Sequence, residues 1–264
     1  MNMMRFTTMK TKLRKYPSIF LILLLAISSC FLTGCVNQHP KDSKKSSQGE
    51  SVETMLEITD PKEKQAVLNA KAKVKALSGN PRIVATSPAV ADICDKLDLD
   101  LVGVPKSSVS KIPSRYKKVK KVGLAMSPDM EIVSSLNPDW ILAPSSLETD
   151  LKPKFEELKN TEYAFLNLRS VQGMYRSVQE LGEIFGKQQE AEKMTKEFTT
   201  FYKSYTKRNK NKKHPKALVL MGLPGSYVIA TENSYVGSLV KLAGGENVYQ
   251  NTDQEFLTVN TEDL

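Results

Sequence analysis

The feature that most constrains this chain is a run from Gln188 to Arg208 that contains neither proline nor glycine. Ala191, Met194, Phe198, Phe201, Tyr202 and Tyr205 fall on one side of it at helical spacing, which predicts a single amphipathic helix. At 1.5 Å per residue that helix extends roughly 30 Å, the width of a small domain. Set between two folded regions, it acts as a rigid spacer rather than a hinge. The basic run Lys207 to Lys213 closes it and places cations at the negative end of the helix dipole. A second helical period, Met174, Val178, Leu181 and Phe185, precedes it and stops at Gly186.

Both flanks carry an α/β pattern. Arg82 to Ala85 is a short buried strand, Ser87 and Pro88 supply an N-cap and a helix-opening proline, and Ala89 to Leu97 continues as helix. Leu99 to Val104 is a second strand, followed by a basic loop, Pro105 to Lys121. A helix is expected from Pro128, with a stop at Asn137-Pro138 and a strand from Trp140 to Ala143. After the long helix come a strand Lys216–Met221, a turn Leu223-Pro-Gly-Ser, a strand Tyr227–Ala230, and a helix Tyr235–Ala243 capped by Gly244-Gly245. Strands alternating with helices at this spacing imply parallel sheets covered on both faces. The expected fold class is therefore α/β: two parallel-sheet α/β lobes joined by one long rigid helix. Such sheets bind ligands beyond the carboxyl ends of their strands.

The N-terminus belongs to neither lobe. Arg5, Lys10, Lys12, Arg14 and Lys15 precede an uncharged apolar run, Ile19 to Ile27, too short to span a bilayer but right for a signal peptide. Its exit reads Leu32-Thr33-Gly34-Cys35, similar to a bacterial lipobox, in which cleavage precedes Cys35 and its thiol receives a diacylglyceryl group. The alternative is a cysteine that merely follows a leader. Loss of residues 1–34 removes five of the 38 Lys+Arg and none of the 29 Asp+Glu, so the apparent charge of +9 falls to +4. Of the three cysteines, Cys30 leaves with the leader and Cys35 is acylated; Cys94 is left alone, at what reads as a buried helix position. A polar tether, Val36 to Glu50, follows. Residues 61–77 then read as a helix with a weak apolar stripe, lying on the surface. The expected organisation is a signal peptide 1–34, a lipid-anchored tether with a short surface helix 35–80, an N-terminal lobe 81–186, a linking helix 187–213 and an incomplete C-terminal lobe 214–264.

The segment Pro128-Asp-Met-Glu-Ile-Val-Ser-Ser-Leu-Asn-Pro-Asp-Trp-Ile-Leu resembles a recurrent element of the helix-linked solute-binding proteins of ABC importers, which carry iron-siderophores, cobalamin and haem. Val219 to Thr231 and Ser234 to Val248 are similar to the haem-binding lipoproteins of iron-regulated surface determinant systems. The resemblance covers Arg82 to Leu264. It implies haem b as transported ligand, with Met126, in the turn before the Pro-Asp-x-x-Glu helix, as one axial ligand to iron. By itself a lone methionine is more often core filler, and Met130 is expected in the core. The family's second axial ligand, a histidine of the second lobe, has no counterpart here. His214 lies at the amino end of its strand, opposite the ligand face, as an exposed or satisfied junction residue. The chain stops one turn into what resembles a lobe-two helix, so a fragment lacking that histidine is expected.

For the haem propionates the resemblance implies Ser87, Pro88 and Ala89 at the first helix start and Ser107 and Ser108 in the following loop, with Pro224, Gly225, Ser226 and Tyr227 as the facing wall. Glu131 and Glu262 occupy matching positions in the two lobes, where the family docks acids on permease arginines; either could simply complement a helix dipole. Implied partners are the permease and its ATPase, upstream cell-surface haem-relay proteins and the extracytoplasmic face of the cell membrane.

Other classes lack their parts. The sequence has no phosphate-loop lysine, no Gly-x-Ser-x-Gly elbow and no His-Glu-x-x-His helix. Two histidines cannot build a zinc or manganese cluster. The basic runs Arg115–Lys121 and Lys207–Lys213 lack interleaved aromatics, which argues against nucleic acid. The rival readings are a ferric siderophore or cobalamin binder of the same fold, and a chelatase-like enzyme on a similar scaffold, for which no acid/base pair is evident.

Overall fold

A computed structural model describes residues 52–223, 226–250 and 252–258. The leader, Cys35 and the tether lie outside these residues, as do Pro224, Gly225 and Glu262.

The chain opens with helices α1 (Val52–Leu56) and α2 (Pro61–Lys75). Asp60 caps α2 by accepting a hydrogen bond from Lys62 N at 2.7 Å. Then follow β1 (Ile83–Ala85), α3 (Pro88–Lys96), β2 (Leu101–Val104), β3 (Lys120–Lys121), the hairpin β4 (Gly123–Leu124) and β5 (Ser127–Pro128), α4 (Met130–Ser135), β6 (Trp140–Pro144), α5 (Glu148–Glu156) and β7 (Glu162–Leu166). The sheet order is β3-β2-β1-β6-β7, every pair parallel. Alternation assigns the faces. Ile83, Ala85, Trp140, Leu142, Ala164 and Leu166 point into one core, whereas Val84, Ile141, Ala143, Tyr163 and Phe165 point into the other. Cys94 of α3 is fully buried in the first core, and burial pushes its thiol up to about 12, so it is an inert apolar filler.

Helix α6 (Val171–Phe185) starts at the Ser170 cap and ends at Gly186, whose φ of 71° is the left-handed conformation that glycine tolerates best. Helix α7 (Gln188–Asn209) is the uninterrupted 22-residue rod expected from its sequence. The two helices pack together, and Tyr175 stacks on Phe198 at 4.5 Å, which stacks on Tyr202 at 5.8 Å.

The segment beyond α7 holds β8 (Lys216–Ala217), β9 (Leu220–Leu223), β10 (Ser226–Ala230), α8 (Tyr235–Leu242), β11 (Glu246–Asn247) and β12 (Phe256–Thr258). The single strand expected over Lys216–Met221 is two: β8 pairs with β11 in parallel, whereas β9 joins β10 and β12 in an antiparallel sheet. The parallel arrangement expected of this region is thus carried by β8 and β11 alone. It is fastened to α6 and the residues before it by Val171 N donating to Ser238 Oγ at 3.1 Å and an Arg169–Glu255 ion pair, and to α7 by Tyr205 OH donating to the Ala243 carbonyl at 2.9 Å.

The helix expected from Pro128 starts later. Pro128 is the second residue of β5, and Asp129 is the N-cap, accepting from Ile132 N at 3.0 Å. Hence Met130 is the first helical residue, and it is partly buried against the second core.

Helix α2 packs on α6 through Val67 and Ala70. At the same contact Glu63 and Glu180 are both buried, and Glu180 has no exposed surface. Burial and then the facing Glu63 carboxyl hold the Glu180 acid protonated, its pKa raised to about 9; Arg176 opposes this only weakly. In the unfolded chain Glu180 ionises near 4.5, so the folded state binds the extra proton and stability falls as pH rises from 4.5 towards 9. Glu180→Gln, neutral at every pH, is expected to be increasingly stabilising relative to the parent between pH 5 and 8, by at most ~1.4 kcal/mol per pH unit. Urea melts at several pH values measure this, and a pH-independent difference would refute the assignment.

Candidate functional site at the carboxyl edge of the sheet

Both faces of the first sheet are covered, so the open ends of its strands are where polar side chains can gather. Neighbouring strands lie about 4.8 Å apart, and each delivers one element to this edge. After β1, Ser87 caps α3, its Oγ accepting from Val90 N at 3.3 Å. Ser87 is buried, Pro88 half-buried and Ala89 exposed on the first helical turn. After β2, Ser107 Oγ accepts from Ser110 N at 3.0 Å in a tight turn, with Ser108 exposed beside it. After β3 comes the hairpin, with Ala125 and Met126 at its tip; Met126 is 73 % exposed.

Three hydrogen bonds fix that hairpin. Val122 N donates to the Val104 carbonyl at 2.9 Å, Asp129 N to the Val122 carbonyl at 2.7 Å, and Lys106 N to the Gly123 carbonyl at 2.7 Å. Gly123 has a φ of 97°, and a Cβ there would sit 2.9 Å from Asp129 N, so only glycine fits. The loop of Ser107 and the turn of Met126 are therefore one rigid unit. Two strand spacings separate it from the α3 start, roughly 10 Å.

The same row continues past β1 with residues that the sequence reading did not select. Ser145 follows β6; its Oγ is buried and has no hydrogen-bond partner among the described residues. Asn167 follows β7, its backbone N–H donating to Ser177 Oγ at 3.0 Å and its side chain accepting from Arg169 N at 3.2 Å. The signal that could have found both is a small polar residue directly after an apolar strand, as at Ser87. Beyond them a polar cleft of about 570 Å³ runs between this edge and α8, lined by Asn167, Arg169, Arg176, Ser238 and Lys241. An apolar hollow of about 430 Å³ opens next to Ala89, against Leu168, Met174, Met194 and Tyr235.

Ser226 and Tyr227 are exposed on β10, in a separate sheet from Met126 and Ser87. His214 is exposed, with Nδ1 2.6 Å from the Gly244 carbonyl oxygen. Glu131 is exposed on the first turn of α4, next to the hairpin. No group of three or more His, Cys, Asp or Glu able to hold a metal ion occurs among the described residues. The edge thus offers one soft thioether at the tip of a stiff hairpin, a row of hydroxyls and a helix N-terminus. That donor set suits a ligand with a soft metal centre and anionic arms.

Residues 83–264 match the model of the periplasmic binding protein family. The chain belongs to that family. Among curated periplasmic binding proteins, it is 41% identical over 188 residues to the high-affinity heme uptake system protein IsdE of Staphylococcus aureus strain Newman. The match covers 71% of this chain and 64% of that protein, so the chain spans under two thirds of the relative's length. Two solved binding proteins share the fold closely. The crystal structure of an ABC transporter substrate-binding protein from Listeria monocytogenes EGD-e is 45% identical, with a TM-score of 0.64 over 70% of this chain and 71% of that one. The crystal structure of S. aureus IsdE complexed with heme is 40% identical, with a TM-score of 0.65 over 70% and 72%.

The hairpin geometry separates ligand chemistry from folding. Met126→Ala removes an exposed side chain and is expected to change stability by under ~0.5 kcal/mol. Gly123→Ala forces a Cβ against the Asp129 backbone and is expected to cost about 1–3 kcal/mol. Denaturant midpoints of the two variants check the contrast; a large loss for Met126→Ala would place it in the core instead.

Proposed function

We propose that the chain is the haem-binding receptor of an ABC importer, held on the extracytoplasmic face of the membrane by acylation of Cys35, with no catalysis of its own. The observation that carries this reading is the 41% identity to the S. aureus heme uptake protein, together with an exposed methionine on a rigid hairpin at the ligand edge. Met126 supplies one axial sulfur to the haem iron. The α3 N-terminus at Ser87–Ala89, with Ser107 and Ser108, accepts the propionates, and Ser226 and Tyr227 form part of the facing wall. Pro224 and Gly225 complete that wall in this reading. The His214 ring nitrogen nearest the protein is engaged with the Gly244 carbonyl, and no second axial role is assigned to it. Delivery then requires the permease and its ATPase. Glu131 is the docking acid of the first lobe, Glu262 is its counterpart in the second, and surface relay proteins supply haem from outside.

Haem titration followed in the Soret region tests the ligand. The chain is expected to give a thioether-ligated spectrum, and Met126→Ala to shift the Soret maximum and weaken binding about tenfold or more, as for loss of ~1.4 kcal/mol of ligation. Tight binding of a ferric siderophore or of cobalamin, with no Soret shift on adding haem, would sink the haem reading. An unchanged spectrum in the variant would remove Met126 alone.

Docking is tested separately. Glu131→Ala is expected to leave haem affinity within about twofold, because its side chain points to solvent, while haem-dependent growth through the importer falls. Lost haem affinity in that variant would contradict a docking role.

A further inference from the structure

Two basic runs look alike in the sequence but end differently in the fold. In the first, Arg115 alone is matched: its guanidinium bonds Asp98 at 2.7 Å and Asp100 at 2.8 Å, and Lys187 also reaches Asp98, at 3.1 Å, whereas Lys117, Lys118, Lys120 and Lys121 are exposed and form no ion pair among the described residues. In the second, Lys207, Arg208, Lys210, Lys212, Lys213 and Lys216 crowd into ten residues that contain no Asp or Glu. All six are exposed, and none forms an ion pair among the described residues. The end of the α7 dipole carries only about half a negative charge, far short of what six cations need. The patch is also stiffly held, since α7 packs on α6 and the Tyr175–Phe198–Tyr202 stack braces it.

The described chain begins beside this patch. Val52 is buried in α1, which packs against both α6 and α7, and Glu53 forms an ion pair with Lys203. Arg176 adds a bond from Nη2 to the Met55 carbonyl at 2.6 Å. Lys203 is one helical turn, about 6 Å, before Lys207. The chain arriving from Cys35 is therefore covalently attached beside the uncompensated basic end of α7. Cys35 precedes Val52 by seventeen residues, a contour of at most about 60 Å. An acylated Cys35 thus keeps the patch at high effective concentration near the bilayer.

We propose that the Lys207–Lys216 patch is a second, electrostatic membrane contact that takes the phosphate headgroups of anionic lipids and lays this end of α7 on the bilayer. The inference rests on the lipid-anchor reading for the position of the tether, but not on the haem reading. Membrane cations of this kind act additively, each strengthening attachment roughly fivefold when it reaches the surface, and salt screens them beyond about 10 Å at 0.1 M.

The test uses the full chain isolated from host membranes, with a nitroxide on Asn211→Cys, an exposed position; Cys94 is buried and unreactive. Flotation with phosphatidylcholine vesicles reports the acyl anchor, and mass analysis of the Cys35 peptide checks it. Accessibility of the nitroxide to an aqueous relaxant reports the patch. The label is expected to be shielded about fivefold or more on vesicles containing phosphatidylglycerol but not on pure phosphatidylcholine, as for one or more surface-bound cations. The shielding should vanish in ~1 M salt and in the variant with all six cations changed to Gln, which should keep its melting temperature. Equal exposure on both vesicles, or shielding that survives the six changes, overturns the proposal. Shielding by soluble polyglycerol phosphate but not by lipid vesicles also overturns it, and assigns the patch to a polyanionic polymer. If the chain does not float with phosphatidylcholine, the anchor reading fails; flotation with phosphatidylglycerol, expected to drop about tenfold or more in the variant, then decides the patch alone.

Discussion

The first lobe depends on one constraint: the central strands β1 and β6 are buried on both faces. Ile83, Val84, Ala85, Ile141, Leu142 and Ala143 are all essentially inaccessible, and each of the branched aliphatic side chains buried this way contributes about 1.5–3 kcal/mol. A strand so placed has no polar face, so its backbone bonds must be made within the sheet, and polar side chains are expelled to its ends. At the amino edge Arg82 N donates to Asp139 at 2.7 Å, and its guanidinium bonds the Leu136 carbonyl at 2.7 Å, closing that end. Only the carboxyl edge is left open. The row of Met126, Ser107, Ser87, Ser145 and Asn167 is the consequence of that expulsion, one element per strand.

What could be read from the sequence follows the same logic. Strands β1, β2 and β6, the Ser87 cap and the α6–Gly186–α7 corner rest on local signals: apolar runs, a Ser-Pro start, a glycine in the left-handed region. The turn at Met126 is where the sequence places it, but the helix after it starts later than Pro128, which usually opens a helix, because the Asp129 cap one residue on takes that role. The strand expected over Lys216–Met221 is continuous because nothing local marks where β8 leaves one partner and β9 joins another. Pairing of that kind is decided by β10, β11 and β12, up to forty residues away. Helix α5 carries Pro153 in its interior, which hides its period. At the ligand edge, the resemblance pointed to Met126 and Ser87, whereas Ser145 and Asn167 depend on strand order, which a single sequence does not encode locally.

Charge shows the same division between local pattern and tertiary context. The helix at 61–75 reads as a surface helix with a weak stripe, yet its Glu63 ends up buried against Glu180 and its Lys71 pairs with Glu183 at 2.7 Å. These contacts cross more than a hundred residues, so composition cannot foresee them. They give the segment a structural role: it ties the start of the folded body to α6. A buried acid pair is a costly way to make that tie, and the helix holds because Val67 and Ala70 bury apolar surface at the same contact.

The two basic runs carry this argument to the surface. Net charge treats Arg115 and Lys207 as equals, but a cation's value to a partner depends on whether the fold has already matched it. Around Arg115 the acids Asp95, from the last turn of α3, and Asp98 and Asp100, from the α3–β2 connection, are placed within 4.0 Å by the fold. Around Lys207 no ion pair forms among the described residues: Glu53, the acid that reaches α7, is taken by Lys203, and Glu246 of β11 stands in register with Lys216 without pairing to it. A whole-chain charge of +9 therefore hides differences between cations: Arg115 is matched, whereas Lys117, Lys118, Lys120 and Lys121 of the same run, and the run from Lys207, form no ion pair among the described residues. What sets the run from Lys207 apart is its place: it stands at the end of α7, one turn beyond Lys203, which pairs with Glu53 of α1.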